Sequence, residues 1–219
     1  EDLAGAEELV LELGREPVRG LVERVEALAA RAGGRDRIRL ALPVIVRSWE
    51  EKALRARVEA LRAAGHTRWE LANVASWAQL GLRAGGAGGL DLTADWPLYA
   101  VNRAAGRALQ AMGVSRVTLS PEDARGNLAA LLEQLGSAAA VVVYEDSPLF
   151  LSESCPYALI RGGCPGPGRC ELEELELTSS HGGAVRVVND RCRSITLFHM
   201  VIASEGRSSI SAARLAILA

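Results

Sequence analysis

The chain predicts an α/β fold, parallel strands with helices packed on their faces, and three observations carry that prediction. Short apolar or β-branched runs alternate with segments of helical hydrophobic period at least four times. The segments joining each strand to the next helix are only a few residues long, as in βα units. Caps, prolines and glycines stand where the helices of such an alternation would begin and end. A doubly wound sheet and a (β/α) barrel both satisfy the pattern.

The amino-terminal part, residues 1–37, is expected to be helical. A short helix is read over Ala6 to Leu13. A second carries Val18, Leu21, Val22, Val25, Leu28 and Ala29 at helical spacing and stops at Gly33-Gly34. The βα repeats then fill 38–145. Ile38 to Val46 is a β-branched apolar run read as a buried strand, with Pro43 as an internal objection because proline donates no ladder hydrogen bond. Ser48 and Glu51 form a capping box for a helix carrying Leu54, Val58 and Leu61, and Gly65 ends it. Trp69 to Val74 reads as the next strand, and Ser76 with Gln79 as a second capping box. Leu90 to Ala94 is a short strand. Pro97 suits the first turn of a helix that buries Val101, Ala104, Ala105, Ala108 and Leu109. Val114 to Leu119 is a strand, with Ser120 as cap and Pro121 at the first helical position. A helix follows to Gly136, and Ala139 to Tyr144 is a further strand. The glycine run 85–89 precedes a strand instead of following one, so it is no nucleotide-binding fingerprint.

Composition narrows the function classes. Of 219 residues, 49% are hydrophobic and 24% charged, with a net charge of −2. That is an ordinary globular mix and excludes a disordered or collagen-like chain. It also excludes a chain-wide basic surface, and aromatics at 4% argue against a base-stacking nucleic-acid module. No apolar stretch reaches the length of a membrane span, so no membrane partner and a cytoplasmic location are expected. The chain opens at Glu1, not at methionine. It is expected to be a piece of a longer polypeptide whose amino-terminal part would be a partner in folding.

After Tyr144 the alternation breaks. Residues 146–194 hold all four cysteines, spaced Cys155-x8-Cys164-x5-Cys170-x21-Cys192, together with a hairpin in which Leu175 and Leu177 alternate out and Val185 and Val187 alternate back. The remaining residues, 195–219, are expected to resume the βα rhythm with a strand over Ile195 to Ala203 and a final helix near Ser209 to Leu218. The cysteine spacing is neither that of a zinc ribbon or finger nor that of a bacterial ferredoxin run. Four clustered thiols amid Gly162, Gly163, Pro165, Gly166, Pro167 and Gly168, flanked by Arg161, Arg169, Arg191 and Arg193, suit a metal or cluster site. A [4Fe–4S] cube, a zinc ion, two disulfides or four inert thiols remain open on spacing alone.

Four segments resemble peptidase family U32, the collagenase-like peptidases. Ser147-Pro148-Leu149-Phe150-Leu151-Ser152-Glu153-Ser154-Cys155-Pro156 is similar to the family's "PLM…S/TE-x-CP". Asp95-Trp96-Pro97-Leu98-Tyr99-Ala100-Val101-Asn102 resembles "D-x-x-L-N-x-x-N", with Tyr99 where the family has asparagine. Gly113 to Glu122 is similar to "LGV-x-R-V-x-LSPE", and Asp190-Arg191-Cys192-Arg193 resembles the "D-x-x-CR" segment. The family's amino-terminal "GADAVYFG"-like strand has no counterpart. The resemblance implies a partial or complete TIM-like (β/α) barrel with a cysteine-rich insertion. It implies that Cys155, Cys164, Cys170 and Cys192 hold an iron–sulfur cluster, with zinc as the alternative. Relatives act in oxygen-independent hydroxylation of RNA bases or of a small aromatic quinone precursor, and others are described as peptidases. RNA or a small aromatic molecule is therefore the expected partner. A non-catalytic domain with a zinc or disulfide site is the reading from a different class.

Candidate catalytic residues follow from position. Glu122 and Ser120, Asp95 and Asn102 fall at strand carboxyl ends, where barrel enzymes build their sites. The same residues could equally serve as helix caps and first-turn carboxylates. Glu145 and Asp146 are a possible acid and base pair or a solvated loop. His66 and His181 are expected to be exposed, and His199 to be a core residue. No G-x-S-x-G or H-E-x-x-H motif supplies a peptidase nucleophile or zinc site.

Overall fold

The structure is a computed structural model and describes residues 6–14, 17–83, 85–152, 154–166, 174–178, 184–190 and 193–201. The chain divides into two units, the second spanning Tyr144–Ser204.

The first unit is a parallel sheet of six strands in the order β1 to β6, without reversal: β1 (Leu9–Glu12), β2 (Ile38–Ala41), β3 (Arg68–Leu71), β4 (Asp91–Ala94), β5 (Val114–Leu119) and β6 (Ala139–Val141). Sequential order decides between the two architectures that the alternation allows. A doubly wound sheet reverses its strand order to place helices on both faces. Unreversed right-handed crossovers place every helix on one face, and the sheet curls as half a barrel. The helices are α1 (Leu21–Ala32), α2 (Glu51–Ala63), the single turn α3 (Ser76–Gln79), α4 (Arg103–Ala111) and α5 (Arg125–Leu135).

Period two separates the faces of the sheet. Ile38 and Leu40, Trp69 and Leu71, Leu92 and Ala94, and Val114 and Val117 form one core with Leu21 and Val25 of α1, Leu54 and Leu61 of α2, Trp77 and Leu109. The alternate residues, Glu8, Arg39, Arg68, Glu70, Asp91, Thr93 and Arg116, take the other face. A bulge in β5, between the partners of Leu92 and Thr93, inserts Ser115 and restores the alternation beyond it. The curl is visible in one bond. Arg116 on β5 donates to Glu8 beside β1 at 2.8 Å. In a flat sheet those strands would lie roughly 19 Å apart, four spacings of about 4.8 Å, beyond the reach of the two side chains.

Several expectations need correction. The helix expected over Ala6 to Leu13 is instead the strand β1, parallel to β2 from Leu9 opposite Ile38. Strand β2 stops at Ala41, two residues before Pro43, and β3 stops at Leu71. Neither capping box forms. Helix α2 starts after Glu50, whose carboxylate accepts from the Arg47 amide. At α3, Asn73 accepts from the Ala75 amide, and Ser76 lies inside the turn and accepts from the Asn73 amide. Pro97 lies in a 3-10 turn, Trp96–Leu98, ahead of α4. Pro121 lies in the turn before α5, whose cap position is Ala124. Gly33 and Gly136 end α1 and α5 as expected, both at positive φ.

The second unit holds a sheet of four antiparallel strands in the order β7-β10-β9-β8: β7 (Tyr144–Ser152), β8 (Glu174–Thr178), β9 (Ala184–Asp190) and β10 (Arg193–Val201). The expected hairpin is present, with Leu175 opposite Val187 and Leu177 opposite Val185. Its turn, 179–183, lies outside the described residues. The strand expected at Ile195 is β10, but it pairs antiparallel with β7 and β9 and so does not resume the parallel rhythm. The expected final helix lies outside the described residues. Helix α6 (Pro156–Arg161) follows β7.

Candidate functional site

The helix-free face of the six-stranded sheet carries a polar group at each end, and the two differ. At the amino ends of the strands Arg39 is the centre. It is 1% exposed. Its Nε and Nη2 donate to both oxygens of Glu8, Nη2 also to Asp91 Oδ2 at 2.7 Å, and Nη1 to the carbonyls of Trp69 and Asp91. All five guanidinium protons are thereby used. Arg68 joins Glu8, Asp91 and the Asp36 carbonyl. Ser115, placed by the bulge, donates to Asp91 Oδ1 at 2.9 Å. Burial alone would raise the Asp91 pKa, but hydrogen bonds and charge from Arg39, with help from Ser115 and Arg68, outweigh it and hold it at about 2. Glu8 is likewise lowered, its burial outweighed by Arg39, Arg116 and Arg68. This network joins β1 to β5, with Arg39 saturated at its centre. Networks at the amino ends of such strands serve stability, since barrel sites are built at the carboxyl ends.

At the carboxyl ends the predicted residues gather around β4 and β5. Asp95, buried directly after β4, accepts from the Trp96 amide at 2.7 Å and caps the 3-10 turn. Asn102 accepts from the Ala105 amide at 2.9 Å and is the N-cap of α4. Both thus have the capping role as well as the strand-end position. Ser120, buried after β5, accepts from the Glu122 amide at 3.3 Å. Glu122 itself is exposed, and the Tyr99 hydroxyl donates to its Oε2 at 3.2 Å. This bond joins the loop after β4 to the loop after β5. Tyr99 sits at φ 49°, the one non-glycine residue at positive φ among the described residues, and its ring meets Trp96 edge-on at 5.9 Å. Burial and then the Glu122 carboxylate push its hydroxyl pKa up. Trp49, Val74 and Val101 expose apolar surface on the loops after β2, β3 and β4.

In the second unit, Cys155 is the cap residue of α6 and Cys164 lies three residues after its end turn, with the Gly166 amide donating to Cys164 Sγ at 3.4 Å. Cys170 and Cys192 lie outside the described residues, as does His181. The registers nevertheless define where their segments attach. Ser152 lies opposite Ser194, Asp190 opposite Arg193 and Glu174 opposite Val188. The end of β7, the start of β8, the end of β9 and the start of β10 therefore share one end of the sheet. Cys155, Cys164 and Cys170 fall in the chain between the first two of these termini, and Cys192 in the two-residue link between the last two. Among the described residues no three His, Cys, Asp or Glu side chains gather as a metal site.

Glu145 and Asp146 stand within β7 rather than in a solvated loop. His66 is buried, 4% exposed, against the expectation of exposure. Its Nε2 shares a 2.9 Å hydrogen bond with Glu26 of α1, and the Trp69 indole donates to its carbonyl. His199 lies in β10.

The amino-end network escaped the sequence reading. Its one legible signal is Arg39, a guanidinium between Ile38 and Leu40 in a run otherwise apolar. Tyr99 was noticed only as a departure from a motif. Comparison with family models, curated proteins and solved structures found no match to this chain.

Proposed function

We propose that the chain is a U32-type iron–sulfur protein acting in oxygen-independent hydroxylation, or related modification, of RNA or a small aromatic molecule. The carrying observation is the topology of the second unit: all four cysteines occupy segments that enter or leave one end of its sheet. Four cysteines on segments that attach at one end of a sheet make a donor set that suits a [4Fe–4S] cluster, and the Gly166 amide on Cys164 Sγ is the kind of outer contact that ligating sulfurs receive. When bound, such a cluster supplies electron transfer at a potential set by its surroundings. The chain's own work is then ligation by Cys155, Cys164, Cys170 and Cys192, and substrate orientation by the carboxyl-end loops of the half-barrel through Glu122, Asp95 and Asn102. Glu122 is the best placed of the three, because Asp95 and Asn102 each hold a backbone amide. A TIM-like barrel, of which the six curled strands are part, fits this reading, as does a reducing cytoplasmic location that keeps thiols free. Among the described residues no helix is long and apolar enough to cross a membrane.

The test is anaerobic purification with iron and acid-labile sulfide assays. Stoichiometric iron and sulfide, lost in any Cys→Ser variant, supports the proposal. Zinc without iron refutes it in favour of a structural metal domain. Cleavage of collagen peptides that survives replacement of all four cysteines points to a peptidase.

A further inference from the structure

We infer that Tyr99 and Glu122 form an acceptor-only edge at the carboxyl-end mouth of the half-barrel, which selects ligands presenting a hydrogen-bond donor beside a flat apolar ring and turns away anionic ones. The inference rests on the reading that this mouth is where substrate binds.

The backbone of Tyr99 is strained. The left-handed region is disfavoured for a residue with a Cβ, and glycine or asparagine normally occupies it. Tyr99 holds φ 49° and ψ 52° at the end of the 3-10 turn. Asparagine would adopt that geometry with less strain. Tyrosine keeps the strained geometry and changes only what is displayed. Such outliers concentrate at ligand sites, where the surroundings over-determine them. Here the buried Trp96 ring, edge-on at 5.9 Å, and the Glu122 carboxylate fix the side chain from two directions.

A phenol has one proton to donate, and Tyr99 spends it on Glu122 Oε2. Its raised pKa, from burial first and the Glu122 charge second, keeps that proton in place at neutral pH. The remaining phenolic lone pairs are acceptors, as is the rest of an ionised carboxylate. Facing outward, the pair therefore offers acceptors alone. Tyr99 is 49% exposed, and Val101, two residues on, adds apolar surface at 41%. A group that fits such an edge carries N–H or O–H, neutral or cationic, on or beside a planar ring. At this pair itself a carboxylate or phosphate would meet lone pairs and the Glu122 charge.

Asparagine at position 99 would reverse part of this, because its amide brings two donors. The experiment uses three probes sharing one ring: benzamidine as a cationic donor, benzyl alcohol as a neutral donor and benzoate as an anion. Dissociation constants are measured by ligand-observed NMR on the full chain and on Tyr99→Asn, Tyr99→Phe and Glu122→Gln. Circular dichroism checks that each variant folds. The wild-type chain is expected to prefer benzamidine to benzoate by about tenfold or more, one charge-assisted hydrogen bond's worth. Glu122→Gln and Tyr99→Asn should each cut that preference several-fold. Tyr99→Phe, which keeps the ring and frees Glu122 Oε2, should keep it. Equal binding of benzamidine and benzoate, no binding of benzamidine, or an unchanged preference in folded Glu122→Gln overturns the inference. Iron content is measured on the same samples. A chain without iron that keeps the preference leaves this edge standing while the iron–sulfur proposal falls, and an iron-loaded chain without the preference does the opposite.

Discussion

The two ends of one sheet use the same kinds of side chain in opposite ways. At the amino ends, Glu8, Arg39, Arg68, Asp91 and Arg116 satisfy one another: Arg39 is 1% exposed with every proton spent. At the carboxyl ends, Asp95 and Asn102 are committed to backbone amides, and the Tyr99–Glu122 pair is left facing outward. A charge that is buried and fully partnered is a structural element, because removing one partner strands the others. A charge that is exposed and half partnered contributes little to folding and remains available to a ligand. The difference predicts a gradient of stability effects along the strand axis.

The largest effect is expected at Arg39. Arg39→Ala leaves Glu8 and Asp91 facing each other without their main counter-charge and should cost about 3–5 kcal/mol in denaturant unfolding. A loss below about 1 kcal/mol would show that the network is ornamental and erase the contrast. The pH dependence sharpens it. The folded pKa of Asp91 lies below its ordinary value of 3.8, at about 2. Its contribution is therefore complete above about pH 4 and is lost as pH falls toward 2. Melting temperatures should decline across that window, and Asp91→Asn, already destabilised at neutral pH, should decline less steeply. A parallel decline would remove Asp91 as the source. Next comes Asn102→Ala, expected to cost about 1 kcal/mol for the lost cap of α4. A negligible change in stability with a large loss of ligand binding would move Asn102 from cap to site. Smallest is Glu122→Gln, whose effect on stability should stay within about 0.5 kcal/mol because the residue is exposed. A larger loss would make the loop-to-loop bond structural.

The sequence made the middle of the half-barrel legible. Strands β2 to β5 and helices α1 and α2 carry their apolar residues on the core side at the expected period, and Gly33 and Gly136 stop helices as glycine does; in α4, by contrast, Leu109 is buried as expected but Ala104 and Ala108 are exposed, and Val101 lies before the helix and is exposed. Strand β1 was misread for a physical reason. Its inner face holds Glu8, Val10 and Glu12 and its outer face Leu9, Leu11 and Leu13, but the inner face meets guanidinium groups instead of water. Glutamate, a good helix former, then gives the segment a helical look. Other groups stand where the capping boxes were expected: Glu50 accepts from the Arg47 amide, one residue earlier in register, and Asn73 accepts from that of Ala75. The Arg39 network draws its members from five strands, and no local pattern announces such a meeting. At the candidate site, position at strand ends was readable, but the Tyr99–Glu122 bond was not, since a residue in the left-handed region is defined by backbone geometry. The four cysteines were readable as a cluster, and the antiparallel pairing that gathers their segments was not.

The bond between Glu8 and Arg116 joins residues 108 positions apart. A ribosome delivers the chain from the amino end, so Glu8 emerges long before its guanidinium partners are complete. Arg39 and Arg68 arrive first and give it a provisional anchor, and Arg116 can join only after β5 has been synthesised. Until then Glu8 has an unfinished set of counter-charges. Contacts of such separation form late and slow folding. The half-barrel thus gains this cross-sheet bond only once β5 has been made, and a pause in translation before residue 116 would hold the nascent sheet without it.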